Sequence, residues 1–400
     1  MSQHAQSSGQ SPRMNVPLLD LKGQYQPLAA EIAQLLQGIC ASQQFILGRH
    51  VLEFEQAAAA YCGCAHAIGV SSGTDALLLA LMALGLGTGV EVITTPFTFF
   101  ATAGTIARAG ARPVFCDIER GSFNIDPAAV RTFLQQQCER RGGALINRNS
   151  GARVAALMPV HLYGQCADMA ALLDIAREFD LKLIEDAAQA IGADYLDGRR
   201  AGSMGDIGCL SFFPTKNLGA FGDAGMCTTQ DAELAERMRV MRVHGSNPKY
   251  YHALIGGNFR LDEIQAAVLN VKLRSLEQWT VARQRNAAWY AAAFRSAGLG
   301  DTVAAPTALT GYRHTWNQYV IRVPRRDELR QFLGEQGVGT EIYYPVPLDR
   351  QECFAYLGYR ADDFPQSNAA AREVLALPIF PELVQEQIAY VVDRIAAFYS

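Results

Sequence analysis

Between Val70 and Leu269 short apolar runs alternate with segments of helical spacing. Val90–Thr94, bounded by Gly89 and Pro96, predicts a strand, and Ala103–Arg108 a helix. Pro113–Asp117 and Val154–Val160 predict two more strands, Met169–Phe179 a helix, and Leu181–Ile184 a further strand. These strands are nearly continuous apolar runs rather than alternating ones, the pattern of strands buried on both faces. Strand, helix and strand in repetition predict an α/β fold: a mainly parallel mixed sheet covered by helices. Beyond Asp262 the pattern changes. Leu261, Ile264, Ala267, Val268, Val271 and Leu276 keep helical spacing, which predicts one long helix over Asp262–Ala297. A Pro- and Gly-interrupted stretch follows, then a strand at Gln318–Val323, a helix at Arg326–Gln336, a strand at Gly339–Tyr343 and a closing helix at Gln385–Tyr399. These elements predict a second, smaller α/β lobe, completed by an N-terminal helix over about Tyr25–Ala41. Gln135–Ser150 reads as a polar surface excursion.

Composition narrows the class. Half of the 400 residues are hydrophobic and 18% are charged, enough apolar material for a large core. A net charge of -4 excludes a chain that binds nucleic acid through a general excess of positive charge. The longest apolar stretch, Ala76–Leu86, is too short to cross a bilayer. Met1–Arg13 is rich in Ser and Gln and lacks a signal peptide's apolar centre, so a disordered leader and a cytoplasmic protein are expected. The nine cysteines are scattered and odd in number, as reduced thiols are, and Cys62 and Cys64 lack the spacing of a zinc site, so no metal is expected. Gly85–Gly89 reads as a turn into the next strand.

Polar residues cluster at four predicted strand ends, where open α/β sheets place ligands. Val70-Ser71-Ser72-Gly73-Thr74-Asp75 leads into an apolar helix, a start whose free N–H groups suit a phosphate and which, alone, is also an ordinary helix cap. Leu183-Ile184-Glu185-Asp186-Ala187-Ala188-Gln189 carries two carboxylates to a strand end, where an Asp can pair with a protonated ring nitrogen or simply cap a helix. Ser211-Phe212-Phe213-Pro214-Thr215-Lys216-Asn217-Leu218-Gly219 sets a lysine among aromatics and glycines, surroundings that favour its neutral, nucleophilic form over a solvated charge. Phe97, Phe99 and Phe100 follow the Val90–Thr94 strand, either as core or as a stacking surface for a flat ring. His161, His244 and His252 stay ambiguous between chemistry and structure.

A phosphate-binding helix start, an Asp for a ring nitrogen and a Lys for a Schiff base together specify pyridoxal 5'-phosphate. The same segments, with Gly257-Asn258-Phe259-Arg260-Leu261-Asp262, stand in the order found in the DegT/DnrJ/StrS family of pyridoxal-phosphate-dependent nucleotide-sugar aminotransferases. The resemblance runs from about Pro17 to Tyr399 and includes Asp20-Leu21-Lys22, Phe45-Ile46-Leu47-Gly48 and Tyr344-Pro345-Val346-Pro347-Leu348.

The resemblance implies the aspartate-aminotransferase-type fold (fold type I). Its expected division is a leader at 1–14, an N-terminal segment at 15–54 packing on the small domain and the active site, a large cofactor domain at 55–270 and a small domain at 271–400. It implies catalytic roles for Lys216 and Asp186, Gln189 near the ring's phenolic oxygen, Phe99 on the ring face, and Gly73, Thr74 and Ser211 at the phosphate. Asn258 would reach the phosphate of a neighbouring subunit, giving a homodimer with shared sites. The implied cycle is ping-pong: glutamate converts the cofactor to pyridoxamine 5'-phosphate, which aminates a keto hexose linked to UDP or dTDP. Lys216, where a dehydratase branch of the family has histidine, favours amino transfer. His161-Leu162-Tyr163-Gly164-Gln165-Cys166-Ala167-Asp168 is similar to members that aminate C3; amination at C4 stays open, as does a non-catalytic regulatory or sensory role on the same fold. Arg260, Tyr343 and Tyr344 are candidate sugar-nucleotide contacts. Tyr343 stands where relatives acting on a glucuronate-derived sugar can carry histidine, which argues against an acidic sugar.

Overall fold

The computed structural model describes residues 14–400, so the expected leader over Met1–Arg13 lies outside the described residues. Its strands, in chain order, are β1 (His66–Val70), β2 (Val90–Thr94), β3 (Arg112–Phe115), β4 (Cys138–Arg141), β5 (Ala144–Asn147), β6 (Arg153–Leu157), β7 (Lys182–Asp186), β8 (Ile207–Ser211), β9 (Gly225–Thr229), β10 (Tyr319–Arg322) and β11 (Val374–Leu377). The main sheet has the order β1-β9-β8-β7-β6-β2-β3, with the β4–β5 hairpin attached through β5 to β6. From β8 to β3 every neighbouring pair is parallel. The pairs β1–β9 and β9–β8 are both antiparallel, so β1 points the same way as β8. The C-terminal ends of β1, β2, β7 and β8 therefore share one edge of the sheet.

Burial explains the apolar runs. In β1, β7 and β8 nearly every position is buried, because helices cover both faces. The helix Gly73–Ala83 is apolar almost all round, as a helix must be when it packs against β8 and β9 on one side and the helices Ala101–Arg108 and Ala232–Met241 on the other. A second core gathers Tyr290, Tyr319, Ile321, Leu329, Leu375 and Ile395 around the two-stranded β10–β11 sheet, and Phe97, Phe123 and Tyr163, from the connections that follow β2, β3 and β6, join it. No helix among the described residues is long and apolar enough to cross a membrane.

The structure departs from the sequence reading in four places. Gln135–Ser150 holds the β4–β5 hairpin, whose Gly142 and Gly143 (φ +56° and +84°) supply the two left-handed positions of a tight turn. The helix expected over Asp262–Ala297 breaks at Arg274–Ser275 into Glu263–Leu273 and Leu276–Ser296. The break lets Leu269 and Leu276 serve the large core while Ala287, Tyr290 and Phe294 serve the second. Gly339–Tyr343 forms no strand: Glu341 makes a single bridge to Ala376, and β11 is the partner that β10 takes. The helix Ala29–Ser42, expected on the C-terminal lobe, sets Ile32 against Val268 and Val271, whereas Val16 bridges to Val338 in that lobe.

Candidate active site

Successive side chains of a strand point to opposite faces, so the two carboxylates ending β7 have different fates. Glu185 is fully buried on the face opposite Asp186. Its Oε2 accepts from His161 Nε2 (2.8 Å) and Gly202 N (2.8 Å), and its Oε1 from Met204 N (2.6 Å) and Gly205 N (2.7 Å). Burial pushes this carboxyl upward, but His161 and the backbone donors outweigh it and hold the group below the usual carboxylate range. Ala167 N donates to His161 Nδ1 (3.1 Å), which leaves the imidazole proton on Nε2, facing Glu185. His161 is thus a structural residue, committed to two bonds within the fold.

Asp186 turns the other way. Thr102 Oγ1 donates to its Oδ2 (2.7 Å) and Ala188 N to its Oδ1 (3.2 Å). Burial raises its carboxyl above the ordinary value, against those two donors and the charge of Lys216. A buried carboxylate with only neutral hydrogen-bond donors is stabilised by any cationic N–H placed beside it.

The turn after β1 meets the ends of β8 and β9. Ser72 caps the helix Gly73–Ala83, accepting from Asp75 N (3.0 Å), while Ser71 Oγ and Ser72 Oγ donate to Asp75 Oδ2 (2.6 and 3.1 Å). The N–H groups of Gly73 and Thr74 stand in the first turn, where a helix has no acceptor of its own. A Cβ on Gly73 would lie 2.5 Å from Ser211 Cβ, and one on Gly225 2.3 Å from the Ser72 carbonyl carbon. Glycine at both positions brings the helix start, with its backbone donors, against the Ser211 hydroxyl at the end of β8. That cradle has the donors and the positive helix end that a phosphate requires. Gly225→Ala is expected to push the helix start off the sheet, costing about 1–3 kcal/mol and weakening binding of a phosphate-bearing ligand at least about 10-fold; thermal unfolding with and without that ligand measures both.

Lys216 follows β8 in a turn closed by Lys216 N donating to Phe213 O (2.9 Å). The residue is half-buried, and desolvation lowers its amine to about 8 although the charge of Asp186 pulls the other way. Lys272 is lowered to about 8 by burial as well, so the pKa alone does not single out Lys216; its place between β8 and Asp186 does. Phe99, 57% exposed, offers a free aromatic face after β2 and lies 6.2 Å, centroid to centroid, from Tyr344. Gln189 joins these parts: its Oε1 accepts from Tyr163 N (2.7 Å) and its Nε2 donates to Tyr344 Oη (2.9 Å). Tyr163 Oη in turn donates to the Tyr343 carbonyl. Burial raises the Tyr344 phenol above its usual range.

The fold brings Gly73, Thr74, Phe99, Asp186, Gln189, Ser211 and Lys216 to one sheet edge, with Tyr343 and Tyr344 reaching it from the C-terminal part. Arg260 bridges Val70 through its backbone, beside the Ser71–Gly73 turn, and Asn258 is exposed two residues earlier. Two contributors escaped the sequence reading. Thr102 lay in a segment read for its aromatics, although a hydroxyl one helical turn after Phe99 was visible; Tyr163 carries a signal only through its partners, which are distant in sequence.

A model of the DegT/DnrJ/EryC1/StrS aminotransferase family matches residues 26–396. A Geobacillus stearothermophilus protein named as a pleiotropic regulatory protein is 52% identical over 96% of this chain and 99% of its own. The UDP-N-acetyl-3-dehydro-alpha-D-glucosamine 3-aminotransferase of Acidithiobacillus ferrooxidans is 41% identical, covering 94% of this chain and 95% of its own. Among solved structures, DesV of S. venezuelae in complex with a ketimine intermediate superposes with a TM-score of 0.88 at 40% identity, covering 96% of this chain and 98% of that one.

Proposed function

The chain belongs to the DegT/DnrJ/EryC1/StrS aminotransferase family, and on that basis we propose that it transfers an amino group from glutamate to C3 of a keto hexose linked to UDP or dTDP. The observation that carries this reading is the placement of Lys216 and Asp186 at one sheet edge beside the Gly73–Ser211 cradle. Those residues fit pyridoxal phosphate: the cradle has the donors for its phosphate, and among the described residues Asp186 takes hydrogen bonds only from neutral donors, a carboxylate that a protonated ring nitrogen would stabilise. Bound there, the cofactor would supply an electron sink for the carbon that gains or loses nitrogen.

The chain's own residues do the rest. Gly73 N, Thr74 N and Ser211 Oγ would bind the phosphate, and Phe99 would stack on the ring. Asp186 would hold a proton on the ring nitrogen, and the bond from Thr102 to its Oδ2 fixes the orientation of the carboxylate. Gln189, with one Nε2 hydrogen committed to Tyr344, has its second free for the phenolic oxygen. Lys216 Nζ would be the amine nucleophile and would carry a proton to and from the substrate carbon. Because only the neutral amine attacks, capture of pyridoxal phosphate by cofactor-free protein is expected to accelerate as pH rises and to level off above about 8. Stopped-flow absorption across pH 6–10 checks this, and a rate still climbing at pH 10 would contradict it.

Amination at C3 rests on the A. ferrooxidans relative and on the His161–Asp168 segment. The regulatory name of the G. stearothermophilus relative keeps a non-catalytic role as the second reading. Incubation with glutamate and a panel of UDP- and dTDP-linked 3-keto and 4-keto hexoses separates them. The C3 reading predicts amino sugar and 2-oxoglutarate in equal amounts from a 3-keto member. Product from 4-keto members alone would shift it to C4, and no product from any would favour regulation.

We further propose a homodimer in which Asn258 serves the partner's phosphate. Asn258 is exposed in the single chain, at the end of a loop that also exposes Tyr250 (79%), Tyr251 and Ile255. Such a patch on a loop beside the site is suited to burial against a second copy. Mixing inactive Lys216→Ala and Asn258→Ala proteins is then expected to restore activity toward a quarter of the wild-type level through hybrid dimers with one intact site. No recovery after subunit exchange would argue against a shared site.

A further inference from the structure

The segment that carries Lys216 leaves β8 and returns to β9 without secondary structure of its own, so something outside it must fix its shape. At its start Lys216 N donates to Phe213 O, and Ala220 N donates to Phe212 O (2.8 Å), which closes the loop on itself. Gly219 permits that closure, since a Cβ there would lie 2.3 Å from Pro214 O. The return limb is held by a different element, the helix Glu263–Leu273. Gln265 Oε1 accepts from Phe221 N (2.8 Å) and Gln265 Nε2 donates to Phe221 O (3.3 Å), pairing with that residue as a β-strand would. Two helical turns later Lys272 Nζ donates to the carbonyl of Gly219. Residues seven apart lie on the same face of a helix, so Gln265 and Lys272 present one gripping surface to Gly219 and Phe221.

Lys272 is an unusual choice for this position. It is 6% exposed and lines a cavity of about 140 Å³ with Leu21, Tyr25, Leu28, Ile32 and Pro214. Its ammonium also lies 5.8 Å from the Phe221 ring, a second attraction to the same limb. Among the described residues no carboxylate forms an ion pair with it, and Tyr25 is the other titratable group of that cavity. A charged group buried without a counter-ion is costly, and here the compensation comes from the backbone of the Lys216 loop.

We propose that Lys272 and Gln265 are positioning residues for Lys216, clamping the return limb of its loop through Gly219 and Phe221. This rests on the amino-transfer reading for its catalytic consequence, but the clamp itself is a property of the chain alone. A lysine that alternates between nucleophile and proton carrier must keep its backbone still while its side chain moves. A displacement of about 1 Å at such a group costs on the order of 10²-fold in rate.

Two measurements on the full chain test it. Hydrogen exchange of the Phe213–Gly222 amides, read without cofactor, is expected to speed up at least about 10-fold in Lys272→Met and Gln265→Ala, with the β7 and β8 amides unchanged. With cofactor and substrates, kcat is expected to fall about 10- to 100-fold while both KM values stay within about twofold. Unchanged exchange in the loop would overturn the clamp. Faster exchange with normal kcat would overturn the positioning role. If the wild-type protein transfers no amino group, the functional reading fails, and hydrogen exchange still decides whether the clamp exists. Should Lys272→Met fail to fold, Gln265→Ala, a half-buried position, carries the test alone.

Discussion

Lys216→Ala is expected to fold, to bind the cofactor's phosphate, and to lose amino transfer by about 10⁴-fold or more. The size follows from two roles in one amine. In the proposed function Lys216 Nζ would be the nucleophile that exchanges with the incoming amine and would also move the proton at the substrate carbon in each half-reaction. Folding is expected to survive because the side chain is half-buried and lies outside the strands, while the loop is held by backbone bonds and by neighbouring residues. A small added amine is expected to recover part of the lost rate by supplying the missing base. Product formation and the half-reaction with glutamate alone, each measured with and without methylamine, check the prediction. A variant within about 10-fold of wild type would remove Lys216 from the chemistry.

Asp186→Asn is the second large loss, about 10³-fold in kcat/KM for both half-reactions. The carboxylate is buried, takes hydrogen bonds from Thr102 and Ala188 N, and is raised by desolvation, which outweighs those donors and the charge of Lys216. A protonated ring nitrogen would relieve that cost, and the same attraction would hold the proton on that nitrogen. Asparagine retains the shape and gives up the charge. Cofactor affinity is expected to fall less than the rate, because the Gly73–Ser211 cradle is untouched. A variant that lost cofactor entirely but turned over normally when saturated would assign Asp186 to binding alone. Steady-state kinetics at saturating pyridoxal phosphate distinguish the two.

Much of this site was legible from residue order, for a definite reason. Parallel strands deliver their C-terminal ends to one edge, so polar residues following the apolar runs at Thr94, Ile184 and Leu210 had to converge once the sheet was recognised. Within Glu185-Asp186 strand alternation sends the two carboxylates to opposite faces. It separates the site carboxylate from one bonded to His161 and three backbone donors. The contacts of Thr102 with Asp186 and of Tyr163 with Gln189 and Tyr343 depend on how loops from distant parts of the chain close over the edge, which local periodicity does not encode. The same limit hid the grip of Lys272 on Gly219, 53 residues away. The helix break at Arg274–Ser275 escaped because both halves keep apolar spacing, and only the demand of two separate cores bends the chain there.

Two lysines, half-buried Lys216 and buried Lys272, share a pKa lowered to about 8, and only Lys216 stands at the sheet edge. Borohydride reduction of the protein with pyridoxal phosphate, followed by peptide mapping, therefore tests the account most directly. The expected result is a pyridoxyl group on Lys216 in nearly every chain, with none on Lys272, and loss of that labelling when glutamate is added before the reductant. Label on Lys272 or label spread over surface lysines would contradict the assignment of Lys216 as the working amine, and label on Lys216 that glutamate leaves untouched would contradict glutamate as the donor.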